Sequence, residues 1–248
     1  MRAYWTLTRR ELAGFFLSLT GYVIIAAALF LMGYSFVVIL DKLQQKTIPM
    51  PVTEMFTDTF WLILLLTTPV ITMRLFALEK FSGTFETLMT TPVSDFQVVA
   101  AKFTAALLFY FLMWLPLLGC LLVVRHYTSD TAVLDGGVVG GTFLGILLLG
   151  GVFISLGCCA SALTRSQVIA AMISLVSSAS VFLLGCLSSR LPAQEAWQSQ
   201  VLGCFALFEQ MHDFARGVVD TRPVVLLVSL TLFFLFLTLR VVESRRWK

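Results

Sequence analysis

The sequence predicts an all-α fold that crosses a lipid bilayer six times. That expectation rests on composition, on the spacing of the charges, and on which loops hold the basic residues. Of the 248 residues, 58% are hydrophobic and 12% charged, whereas a soluble domain carries about 25% charge. Half the usual charge cannot cover a water-facing surface, so a bilayer is the solvent that accepts this chain. Uncharged windows run Leu12–Leu40, Thr59–Met73, Phe103–Val124, Gly136–Thr164, Ser166–Ser189 and Pro223–Leu239. A spanning helix takes about 20 residues, with about 17 as the lower bound. Five windows reach that bound. The second is short and contains Pro69, so its helix is expected to extend outward past Asp58.

The first window follows Arg2, Arg9 and Arg10, a positive start that a secretory signal shares. Its apolar run is too long for a signal core and Gly33–Leu40 lacks a small-residue cleavage site, so an uncleaved anchor is expected. Six spans put both ends of the sequence on one side. That side then holds residues 1–11, the Arg74–Lys102 loop, Arg165 and the tail from Arg240, with 11 of the 17 Lys and Arg but only five of the 14 acids. Basic residues near span ends stay in the cytoplasm. Both termini and the Arg74–Lys102 loop are therefore expected to be cytoplasmic, and the net charge of +3 reflects topology and not nucleic-acid binding.

Along the chain, Trp5, Thr8, Leu12 and Phe16 fall near helical spacing with Arg9 and Arg10 on the flank. Residues 1–16 read either as an amphipathic helix in the interface or as an extension of the first span. In the fourth span Gly137, Gly141 and Gly145 recur every four residues, a stripe that admits another helix closely, from this chain or from a second subunit. Ala170, Ser174 and Ser178 make a milder small-residue stripe on the fifth. Between the last two spans, residues 190–222 place Trp197, Val201, Phe205, Phe208, Met211 and Ala215 at helical spacing. One or two amphipathic helices on the outer leaflet are expected there, as a cap on the bundle or as an outer gate.

The most informative stretch joins the second and third spans. Ser82 and Thr84 flank Gly83 as N-cap candidates, and Phe85, Leu88 and Met89 follow at i, i+3, i+4. Pro92 disfavours helix at Thr91, and Ser94-Asp95-Phe96-Gln97 is a capping box that opens the next helix. Helix, sharp break, helix is a loop that can pass a push into the membrane. A disordered linker would absorb it.

The run Glu79-Lys80-x-Ser82-Gly83-Thr84-x-Glu86-x-Leu88, then Thr91-Pro92-Val93-Ser94 and Lys102, resembles the coupling loop of type-2 ATP-binding-cassette (ABC) permeases. Phe214-Ala215-Arg216-Gly217-Val218-Val219-Asp220 and the closing Glu243-Ser244-Arg245-Arg246-Trp247 resemble the subgroup with gliding-motility and nitrous-oxide-reductase-maturation permeases. The resemblance implies one permease domain over 1–248, with an interfacial elbow helix at 1–16, a coupling loop at 78–96 and outer-leaflet helices within 190–222. It implies that Glu79, Lys80, Gly83, Thr84, Phe85, Glu86, Leu88, Met89, Thr91, Pro92, Val93 and Ser94 serve ATPase coupling. Phe205, Phe208, Phe214 and Gly217 would belong to the outer gate. The implied partners are an ABC ATPase subunit, which would hold ATP and Mg, and a second permease half.

The chain has no G-x-x-x-x-G-K-[ST] phosphate cradle, so hydrolysis is expected in a separate polypeptide and no catalytic residue in this one. Cys120, Cys158, Cys159, Cys186 and Cys204 lack C-x-x-C spacing, and His126 and His212 form no ligand cluster, so neither a disulfide nor a metal site is expected. His212 reads as an ordinary outer-surface histidine. The spans contain almost no ionisable residues, which disfavours a proton- or ion-coupled carrier. The alternative to a permease is a membrane anchor or scaffold of an ATP-driven envelope machine that moves no solute itself.

Overall fold

The computed structural model describes residues 2–44, 52–84, 94–128, 136–190 and 206–244. Among them the chain is helical without strands, in the order α1 (Arg2–Leu17), α2 (Leu19–Gln44), α3 (Val52–Met55), α4 (Thr57–Thr72), α5 (Ala77–Ser82), α6 (Asp95–Trp114), α7 (Pro116–Thr128), α8 (Gly136–Leu163), α9 (Gln167–Arg190), α10 (Leu207–Ala215) and α11 (Thr221–Ser244). Six stretches are long and apolar enough to span a membrane: Leu19–Asp41, Thr57–Ser82, Asp95–Val124, Gly136–Leu163, Gln167–Leu187 and Thr221–Ser244. The chain is a multi-pass membrane protein.

The second span is longer than its uncharged window because it continues through a break. Pro69 lies inside α4 and removes one ladder donor. Thr67, Thr68 and Thr72 donate back to the carbonyls of Ile63, Leu64 and Thr68 at 2.7, 2.7 and 2.8 Å, so their hydroxyls are satisfied inside the helix. The helix stops at Thr72 and resumes at Ala77. The third span is broken too, at Leu115, where Pro116 takes the first position of α7 and needs no N–H partner there.

Spans two and four form the interior. Of the fourth, 72% is buried against other elements, and of the last only 11%. α8 can sit in the middle because its small residues let neighbours approach: a Cβ on Gly157 would lie 2.3 Å from the Thr72 hydroxyl, so only glycine lets α4 and α8 touch there. On α9 the stripe of Ala170, Ser174 and Ser178 is fully buried, and α9 packs along α4 and α8.

α1 is a separate helix, broken from α2 at Ser18, so residues 1–16 do not simply extend the first span. It lies along α6, with Phe15 stacked on Phe109 at 4.8 Å and Phe16 edge-on to it at 5.4 Å. The buried face is rotated from the expected one. Thr8 and Phe15 are buried, whereas Trp5 is 68% exposed. The period was legible. The face was not, because Tyr4 and Glu11 turn inward to Thr104 and Lys102 of α6, while Thr8 between them donates to the Tyr4 carbonyl.

Candidate functional site

The loop between the second and third spans is anchored at its base by charge. Lys102, two turns into α6, is only 2% exposed, and its ammonium lies 2.9 Å from Glu79 of α5 and 3.2 Å from Glu11 of α1. Arg10 reaches Glu79 at 3.4 Å and Glu11 at 3.5 Å. The Phe76 ring sits 5.5 Å beneath the Lys102 ammonium. Two cations and two carboxylates thus balance across three helices. Lys102 lies just before the uncharged stretch of the third span, and its partners neutralise it where it stands. An exposed ion pair is worth little, whereas a buried one must be complete to be tolerated.

The break in the second span is held by its neighbour. Buried Ser161 of α8 accepts the amides of Phe76 and Ala77 at 3.2 and 3.1 Å and donates to the Met73 carbonyl at 3.3 Å. Backbone groups orphaned at a helix break have no water to turn to in a buried site, and one hydroxyl serves three of them. The Lys80 ammonium donates to the Ala162 carbonyl, and Arg74 to the Thr20 hydroxyl of α2. The inbound limb of the loop is therefore tied to α1, α2, α6 and α8 at once. Neither Ser161 nor Arg74 stood out in the sequence. A serine in an apolar helix has no signature until its partner is known.

Gly83 ends α5 with φ of +73°, a left-handed position that favours glycine. Ser82 turns back to the Glu79 carbonyl at 3.2 Å and shares a 2.8 Å hydrogen bond with Thr84. Ser82 thus closes α5, and the helix that Ser82 or Thr84 was expected to cap lies outside the described residues. Ser94 caps α6 as read, its hydroxyl accepting from the Gln97 amide at 3.4 Å. Phe85, Glu86, Leu88, Met89, Thr91, Pro92 and Val93 lie outside the described residues. Glu79 and Lys80 face into the bundle, so whatever role they have toward a partner is exercised through the joint.

On the far side, α10 is seated on the glycine stripe of α8. A Cβ at Gly141 would fall 2.7 Å from the Phe214 carbonyl, and one at Gly145 2.9 Å from the Phe214 Cβ and 3.1 Å from the Met211 sulfur. The stripe therefore receives a helix of its own chain. Gly137 is exposed beside it. Phe214 is buried, while Phe208 stacks on Trp61 at 6.1 Å and packs against His212 at 4.8 Å. Gly217 turns the chain after α10 with φ of +81°. Phe205 lies outside the described residues.

A clamp closes this side. Thr53 donates to the Ala215 carbonyl at 2.7 Å. Glu54, only 7% exposed, receives Arg216 through Nε at 3.1 Å and through a terminal nitrogen at 2.5 Å, with His212 Nδ1 at 3.3 Å. His212 is thus part of a carboxylate clamp, where a bystander histidine was expected. The Arg216 guanidinium, aided by His212, holds the Glu54 carboxyl below its ordinary range against the opposing effect of burial. A lowered folded value means that the clamp contributes fully above the usual glutamate pKa of about 4.3 and is lost as pH falls through the lower folded value. Hydrogen exchange of the α10 amides is expected to accelerate on acidification through that window. Glu54→Gln should show the fast exchange already at neutral pH.

The geometry defines a polytopic helical membrane protein in which the base of the loop between the second and third spans is tied to α1, α2, α6 and α8. The chain belongs to the ABC-2 family of transporter proteins, which matches it over residues 17–188. No curated protein matches it. Membership makes it a membrane permease subunit of an ABC transporter, in a family whose membrane subunits are typically non-catalytic and imply an ABC ATPase partner. Among the described residues, no group of three or more His, Cys, Asp or Glu is placed to hold a metal ion.

Proposed function

We propose that the chain is the permease half of an ATP-driven export or mechanical system in a bacterial inner membrane. A separate ATPase, holding ATP and Mg, docks on the Glu86–Thr91 part of the 78–96 loop from the cytoplasm, where both termini also lie. The observation that supports this best is the ion pair between Glu79 and Lys102. It joins the inbound and outbound limbs of the loop, so a displacement between them enters the bundle and is not absorbed by flexing. Through Glu11 the same displacement reaches the elbow helix α1, and through Ser161 it reaches α8.

A second permease half, identical or related, completes the assembly. The Phe214–Asp220 run and the Glu243–Trp247 ending favour the gliding-motility or nitrous-oxide-reductase-maturation type of system. The test is ATPase stimulation in a co-purified complex carrying Glu86→Lys or Pro92→Gly. Both variants should insert normally and lose stimulation. Normal stimulation in both would refute the docking role of the loop. Stimulation that responds to an envelope partner, with no cargo flux in proteoliposomes, would favour a scaffold over a transporter.

A further inference from the structure

We propose that the groove between α1 and α6 is a binding site for an anionic phospholipid. The groove, about 460 Å³, is lined by Trp5, Thr6, Thr8, Arg9 and Leu12 of α1 and by Leu108 of α6. Arg9 and Arg10 are neighbours in sequence, about 100° apart on a helix of 3.6 residues per turn. Arg10 turns toward Glu79 and Glu11. Arg9 is exposed, and among the described residues no carboxylate lies within ion-pair distance of it. One arginine completes the internal joint, and the other offers its charge to the groove.

The chemistry changes along the groove. Trp5, Arg9 and Leu12 form one stripe at i, i+4 and i+7 on α1. Leu108 stands six residues beyond Lys102 on α6, about 9 Å further along that helix. It is 42% exposed, so the inner end of the groove is apolar and open to acyl chains. An indole at the interface sits at the level of lipid headgroups. A guanidinium matches a phosphate through paired N–H donors. A phosphodiester on Arg9 with its chains along Leu12 and Leu108 satisfies all three. A free anion would satisfy only the guanidinium.

The orientation proposed above places the groove in the leaflet richest in anionic lipid, but binding in defined lipid does not depend on that orientation or on an ATPase. Native mass spectrometry of the purified full chain would therefore count bound phosphatidylglycerol against phosphatidylcholine of the same acyl chains. Wild type should prefer the first phosphatidylglycerol by about fivefold, the preference that one basic residue near an anionic surface confers. Arg9→Gln should bring the ratio close to unity, and Arg9→Lys should keep most of it. Arg240→Gln, which alters an exposed arginine paired with Glu243 at 3.0 Å, should leave it unchanged, and Leu108→Ser should lower occupancy by both lipids. The proposal is overturned if Arg9→Gln keeps the wild-type preference, if Arg240→Gln abolishes it equally, or if inorganic phosphate displaces the lipid.

Discussion

Lys102→Met is expected to destabilise the folded protein by about 3–5 kcal/mol, the cost of removing one partner from a buried ion pair. Glu11 and Glu79 would then share a buried site with only the exposed Arg10 to neutralise them. The expected signs are a lower melting temperature in detergent and a smaller folded fraction after extraction. The triple variant Glu11→Gln, Glu79→Gln, Lys102→Met removes the charges together and should recover most of the stability, because apolar or neutral replacements of a whole buried network are often tolerated. It should not recover ATPase stimulation, since the limbs of the loop are no longer joined. A triple variant that coupled like wild type would show that the joint serves folding alone.

Gly145→Leu is expected to unseat α10. Even the first carbon of the new side chain would lie within 3.1 Å of Met211 and Phe214, and forcing volume into a packed contact costs about 1–3 kcal/mol or more. α10 is only nine residues long and has few contacts to spare, so it should move as a unit. A cysteine at Glu209, exposed on α10, could carry a spin label. Its spectrum should report a mobile label in Gly145→Leu and an ordered one in wild type. Gly140→Ala makes the control, because a Cβ there meets nothing within 4 Å. An ordered label in Gly145→Leu would mean that the stripe is not the seat of α10.

The spans were legible because uncharged windows of sufficient length have one interpretation in a chain this apolar. The Ser94 cap was legible because its donor is three residues away. The pairing of Lys102 was not. Glu11, Glu79 and Lys102 are 68 and 23 residues apart, and each taken singly is an ordinary charge at a span border. The same holds for Glu54 and Arg216, separated by 162 residues. His212 and Ser161 acquire roles only through partners on other helices, which no local pattern encodes. The glycine stripe announced a close approach but could not name what approached. That α10 fills it follows from the fold, because Gly217 and the clamp at Glu54 hold the short helix against α8.

The fourth span carries both ends of this arrangement. Gly141 and Gly145 lie toward one end of α8, and Ser161, which fastens the break in the second span, lies toward the other. Twenty residues of helix separate Gly141 from Ser161, about 30 Å. A rod of that length turning about 5° at the Ser161 end would sweep its other end through about 2.5 Å. In the coupling proposed above, the length of α8 would set the gain, a small tilt at the Ser161 end becoming a larger displacement where α10 is seated.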